Sequence, residues 1–141
     1  MAHRVLVALD GSAQSVAAFE HAVETFPDST IVVFHALDPF DADPEGETAQ
    51  PLTDAWHEAE RERAERLFDR ALDAVGVDPD GVERETSVGP PAETIVAFAE
   101  ESDVDHVVLG SYGRGGASHL HLGSVAEVVV RRAPVPVTVV R

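Results

Sequence analysis

The chain has 141 residues, enough for one domain with a sizeable buried core. It carries 26 Asp and Glu against 10 basic residues, all of them Arg, for a formal charge of −16, and it has neither Cys nor Lys. This excludes disulfides and Cys-ligated metal centres, Schiff-base chemistry and a Walker-A loop, and the acidic balance argues against nucleic acid as a partner.

Residues 4–9, RVLVAL, are a short apolar, β-branched run that predicts a buried strand. Val16, Phe19, Val23 and Phe26 recur at helical spacing and predict a helix over 13–26, with Ser12 as its N-cap. Pro27-Asp28 breaks the chain, and Thr30–Ala36 predicts a second strand. Residues 38–50 are rich in acids, Pro and Gly without periodicity, and read as a solvated loop. A long helix is expected over 52–75, with Trp56, Leu67, Phe68 and Leu72 on its apolar face, a Glu62–Arg66 pair on its wet side and Gly76 at its end. Residues 82–88 alternate as a weaker strand. After Gly89-Pro90-Pro91, a helix over 91–102 buries Ile95, Val96 and Ala99.

His106–Leu109 predicts a fourth buried strand, and a Gly-rich stretch then runs to Gly123-Ser124. Val125, Val128 and Val129 describe a last helix, with Arg131 and Arg132 where cations suit the dipole. Residues 135–140, VPVTVV, predict a fifth strand. The alternation gives a single α/β domain, an open, mostly parallel sheet with helices on both faces. No apolar run approaches a membrane span, and the N-terminus lacks a signal-peptide pattern, so a cytoplasmic location is expected. The evenly spread acids and missing Lys resemble proteins of salt-accumulating microbes, here read as a halophilic archaeon, where salt screens self-repulsion.

In open parallel sheets, ligands sit beyond the carboxyl ends of the strands where strand order reverses. Asp10-Gly11-Ser12 after the first strand falls there, as does the run from Gly110 through Gly113 and Arg114 to Gly123-Ser124 after the fourth. Glycines let backbone N–H groups approach an anion, and the following helix adds its positive end. Ser124 offers a hydroxyl and Arg114 a charged contact. Asp10 equally suits a capping role for the helix behind it. His35 reads as a satisfied core or rim residue, and Trp56 and Phe68 as core. His119 and His121 are too few to make a metal site, so no protein-held metal is expected.

Gly110-x2-Gly113-x9-Gly123-Ser124 resembles the G-x2-G-x9-G-(S/T) motif of the universal stress protein family at every defined position. Asp10-Gly11-Ser12, Gly123-Ser124-Val125-Ala126-Glu127 and Ala133-Pro134-Val135-Pro136-Val137 strengthen the resemblance, which spans the chain. It implies a Rossmann-like sheet in the order 3-2-1-4-5 and ATP binding with Mg²⁺ or Mn²⁺. By position it implies that Asp10 faces the adenosine and the Ala36 backbone contacts adenine. Leu109 and Gly110 would line the ribose, and Gly113, Gly123, Ser124 and Val125 would hold the phosphates. It also implies a homodimer through Val135–Val140, an apolar strand at a sheet edge, with Pro134 and Pro136 limiting its donors. One departure is His119, where the family often has a basic residue.

The resulting expectation is an ATP-binding stress-response sensor or regulator that is not an enzyme, acting on protein partners the sequence does not name. The competing readings are a slow ATPase or phosphotransferase, with Asp10 or a His activating water, and a nucleotide-free interaction module.

Overall fold

The computed structural model describes residues 3–39, 53–111 and 122–141. Five strands alternate with four helices: β1 (Arg4–Ala8), α1 (Ala13–Thr25), β2 (Thr30–Leu37), α2 (Asp54–Val75), β3 (Val82–Val88), α3 (Pro91–Glu101), β4 (His106–Gly110), α4 (Ser124–Arg132) and β5 (Val137–Val140). The strands form one sheet in the order β3-β2-β1-β4-β5. All four pairings are parallel, where the alternation of strands and helices predicts a mostly parallel sheet. No helix among the described residues is long and apolar enough to cross a membrane.

The central strands are apolar on both faces because helices cover both. Val5, Val7, Ile31, Val33 and Val108 point to one side and pack with Phe19 of α1 and with Trp56, Leu67, Phe68 and Leu72 of α2. Leu6, Val32, Phe34, Val107 and Leu109 point to the other and pack with Ile95, Val96 and Ala99 of α3 and Ala126 and Val129 of α4. The period of two along each strand is what splits these residues between two cores. Trp56 and Phe68 are core residues, as expected.

Several boundaries differ from the sequence reading for identifiable reasons. β1 ends at Ala8 rather than residue 9: the Leu9 carbonyl bonds His35 Nδ1 instead of a β2 amide, and the chain then turns through Gly11 at a φ of 86°. β5 starts at Val137 rather than 135: Pro136 has no N–H to donate, although its carbonyl accepts from Val107 at 3.0 Å. A short 3₁₀ turn over Pro79–Gly81, absent from the sequence reading, precedes β3 and is capped by the Asp78 carboxylate. The Glu62–Arg66 pair is not formed: in α2, Arg63 lies 3.9 Å from Glu60. Arg84 of β3 instead ties the sheet to α2 through Glu65 at 2.6 Å and Asp69 at 2.9 Å. Burial opposes its charge, but these two carboxylates outweigh that and raise its pKa.

At the amino end of the sheet, His106 bonds Thr138 Oγ1 at 2.7 Å and packs its ring against Phe26. Burial holds this imidazole below its ordinary pKa, and the nearby His21 and His3 push it the same way.

Candidate functional site

At the carboxyl end of the sheet, β1 stops short of both neighbours. Its last pair with β2 is Ala8↔Phe34, while β2 and β3 stay paired to Leu37↔Val88. Its last pair with β4 is Val7↔Val108, while β4 and β5 stay paired to Gly110↔Val140. The early exit of β1 leaves a notch between β2 and β4, at the point where the sheet order reverses.

Two predicted residues turn backbone groups toward that notch. Alternate residues of a parallel strand bond the same neighbour. Leu9 N–H donates to the Phe34 carbonyl at 2.8 Å, so Ala36, two residues on, faces the β1 side. Val107 and Ser111 donate to β5-side carbonyls, Pro136 at 3.0 Å and Val140 at 2.8 Å, so Gly110 between them faces β1 as well. Position 110 is tight: an added Cβ would stand 3.0 Å from both the backbone carbon and the Cβ of Gln14, so the start of α1 would have to give by a few tenths of an ångström. Leu109 is placed differently. Its side chain is 3% exposed in the core beneath α3 and α4, and its backbone is registered with Val139.

Asp10 sits at the floor of the notch, half-buried. Its Oδ1 accepts from Ser12 N–H at 2.9 Å, so Asp10 steadies the cap residue while Ser12 itself caps α1. Ser12 Oγ accepts from Ser15 N–H at 3.1 Å, and Ser15 Oγ donates to the Ser12 carbonyl at 2.9 Å. The first turn of α1 is therefore occupied by its own side chains.

Across the notch, Gly123 is the N-cap of α4 and provides no side-chain cap. Its N–H donates to the Ser111 carbonyl at 2.6 Å, which fastens the start of α4 to the end of β4. Ser124 is the first helical residue and is exposed, while Val125 is half-buried against the core. The leading N–H groups of α4 thus carry the positive end of the helix dipole with no side chain of the cap residue bonded to them. Gly113 and Arg114, with His119 and His121, lie outside the described residues.

Two contributors went unread in the sequence. Ser111 is 4% exposed and bonded through its backbone to Val140 and Gly123, so it joins β5, β4 and α4. His35 was read as satisfied, and its Nδ1 does bond the Leu9 carbonyl at 2.7 Å; what the sequence did not show is that this partner belongs to the notch. Neither the main-chain bonds of Ser111 nor the carbonyl of Leu9 has a side-chain signature. Among the described residues no three His, Asp or Glu side chains are grouped to hold a metal ion.

The model of the universal stress protein family matches residues 1–141, and the chain belongs to that family. Universal stress protein MJ0531 of Methanocaldococcus jannaschii is 31% identical over 98% of this chain and 81% of its own length. Among solved structures, hypothetical protein MJ0577 superposes with a TM-score of 0.77 at 26% identity, covering 99% of this chain and 96% of that one. A universal stress protein solved in complex with cAMP superposes with a TM-score of 0.66 at 27% identity, covering 99% of this chain and 97% of that one.

Proposed function

We propose that this universal stress protein binds ATP in the notch and acts as a nucleotide-dependent regulator of a stress response. The observation that carries the reading is the start of α4: a glycine cap with no side-chain cap, fastened to the end of β4, beside a gap left by β1. Orphan N–H groups and a helix dipole at such a place suit phosphate. The relative solved with cAMP supports an adenine nucleotide as the ligand class.

In this reading the Ala36 backbone meets the base and Gly110 the ribose. Asp10 accepts from the ribose side while still holding Ser12 N–H. Gly123, Ser124 and Val125 hold phosphate oxygens, and Gly113 and Arg114 belong to the same phosphate loop. A divalent ion, Mg²⁺ or Mn²⁺, would neutralise phosphate charge. It would be held mainly by phosphate oxygens and water, since the Asp10 carboxylate is already bonded to Ser12 N–H. The reading gives the notch no general base or nucleophile among the described residues and takes the protein as a sensor rather than an efficient ATPase. Nucleotide would act by binding one conformation of the glycine segment better than another. The acidic, Lys-free surface is read as an adaptation of a halophilic organism to high salt in the cytoplasm.

Calorimetric titration with MgATP in multimolar KCl tests the site. Saturable binding is expected in the native chain and none in Gly113→Asp, which sets a carboxylate against the phosphates. Absence of binding by the native chain, with no nucleotide released on denaturation, would refute the reading. We also propose a homodimer through β5, a four-residue strand with β4 on one side and an open edge on the other. Sedimentation at micromolar concentration in high KCl should give the mass of a dimer; a monomer alone would refute it.

A further inference from the structure

We infer that His35 is a positioning residue that keeps the Ala36 amide available to a nucleobase, an inference that rests on the nucleotide reading above. After Leu9 N–H donates to the Phe34 carbonyl at 2.8 Å, ladder geometry offers Ala36 N–H to the Leu9 carbonyl as the next rung. That rung is missing: the β1–β2 ladder ends at Ala8↔Phe34. The Leu9 carbonyl accepts instead from His35 Nδ1 at 2.7 Å. A carbonyl only accepts, so Nδ1 carries the proton and the imidazole is the donor.

The exchange has a physical logic. Leu9 is 2% exposed, and a carbonyl at so buried a residue is costly to leave without a partner. One of two donors on β2 must serve it, the Ala36 amide or the side chain of the residue just before it. Because His35 serves it, β1 can leave the sheet one rung early. The Ala36 N–H and C=O then face the notch together, a donor beside an acceptor, which suits the donor–acceptor edge of an adenine. His35 therefore acts on the ligand through Leu9 and Ala36 rather than by touching it.

The test follows the Ala36 amide by NMR hydrogen exchange in the full chain, with AMP titrated as the probe. His35→Leu removes the donor, and His35→Asn retains one near the place of Nδ1. In His35→Leu the Ala36 amide should close on Leu9, slowing its exchange about tenfold without nucleotide and weakening AMP by about the same factor, as befits one hydrogen bond lost to the ligand. His35→Asn should retain the native values. The native chain gives an independent readout: a slowly exchanging imidazole Nδ1 proton on His35, whose absence overturns the inference even if His35→Leu fails to fold. Unchanged Ala36 exchange in a folded His35→Leu overturns it too, whether or not AMP binds. Native protein that binds no AMP, while His35→Leu still slows Ala36, defeats the nucleotide reading and supports the diversion of the Leu9 carbonyl.

Discussion

Helices α1 and α4 both begin at the carboxyl end of the sheet, one behind β1 and the other behind β4. Each opens with N–H groups that have no partner inside the helix. In α1 the chain answers from within: the Asp10 carboxylate takes Ser12 N–H and the Ser12 hydroxyl takes Ser15 N–H. In α4 the cap is Gly123, whose own N–H is spent on Ser111 and which has no side chain to offer. The two starts flank one notch, and among the described residues the second has no carboxylate or hydroxyl bonded to its leading N–H groups. A fold can thus place a self-contained helix end and a receptive one side by side by exchanging Asp-Gly-Ser for Gly-Ser.

The largest expected effect comes from making α4 resemble α1. Ser124→Asp puts an anion on the first turn of α4, where it suits the dipole and repels phosphate. MgATP affinity measured by calorimetry should fall at least about tenfold, while the melting temperature holds or rises, since an acid there contributes about 0.3–1 kcal/mol. Unchanged affinity would mean that the two helix starts do not differ in function. The converse change is Ser12→Ala, which removes the cap of α1. Urea unfolding should show a loss of about 1 kcal/mol, with nucleotide affinity preserved; a loss of affinity as large as that of Ser124→Asp would erase the contrast.

The smallest effect is a control at the far end of the sheet. His106 has a depressed pKa in the folded chain, so the unfolded chain takes up its proton first as pH falls. Stability should therefore decline as pH drops below about 6.5, the ordinary histidine value, until the folded form is protonated as well. His106→Gln should flatten that decline in denaturant melts at pH 7 and pH 5 without moving nucleotide affinity. A decline that persists unaltered would assign it to other groups.

The layered architecture was legible because it is written in side chains. Strand and helix periods, the cap at Ser12 and the stop at Gly76 all appear as residue types. The termination of β1 was not. Leu9 is as apolar and as buried as a strand residue, yet its carbonyl leaves the ladder. Hydrophobic pattern reports where a side chain goes, and every residue carries the same carbonyl. The same reason hid Ser111, which works through its main chain. Val135 misled in the other direction, since its apolar side chain packs against the core while Pro136 delays the ladder. For the proposed site, glycine spacing points to the phosphate side, and family resemblance rather than pattern supplies Ala36. The notch itself comes from the unequal lengths of paired strands, which depend on contacts between distant segments.

The bond from Gly123 N–H to the Ser111 carbonyl has a consequence for how such a protein changes over time. It joins Ser111 at the end of β4 to Gly123 at the start of α4 by main-chain groups that any pair of residue types would carry. The entropy of closing a loop grows only with the logarithm of its length, about 0.6 kcal/mol for each doubling. A bond already made between Ser111 and Gly123 therefore makes the stability of the sheet only weakly dependent on how many residues join them. Their number and kind could drift over time while Ser111 and Gly123 hold the frame.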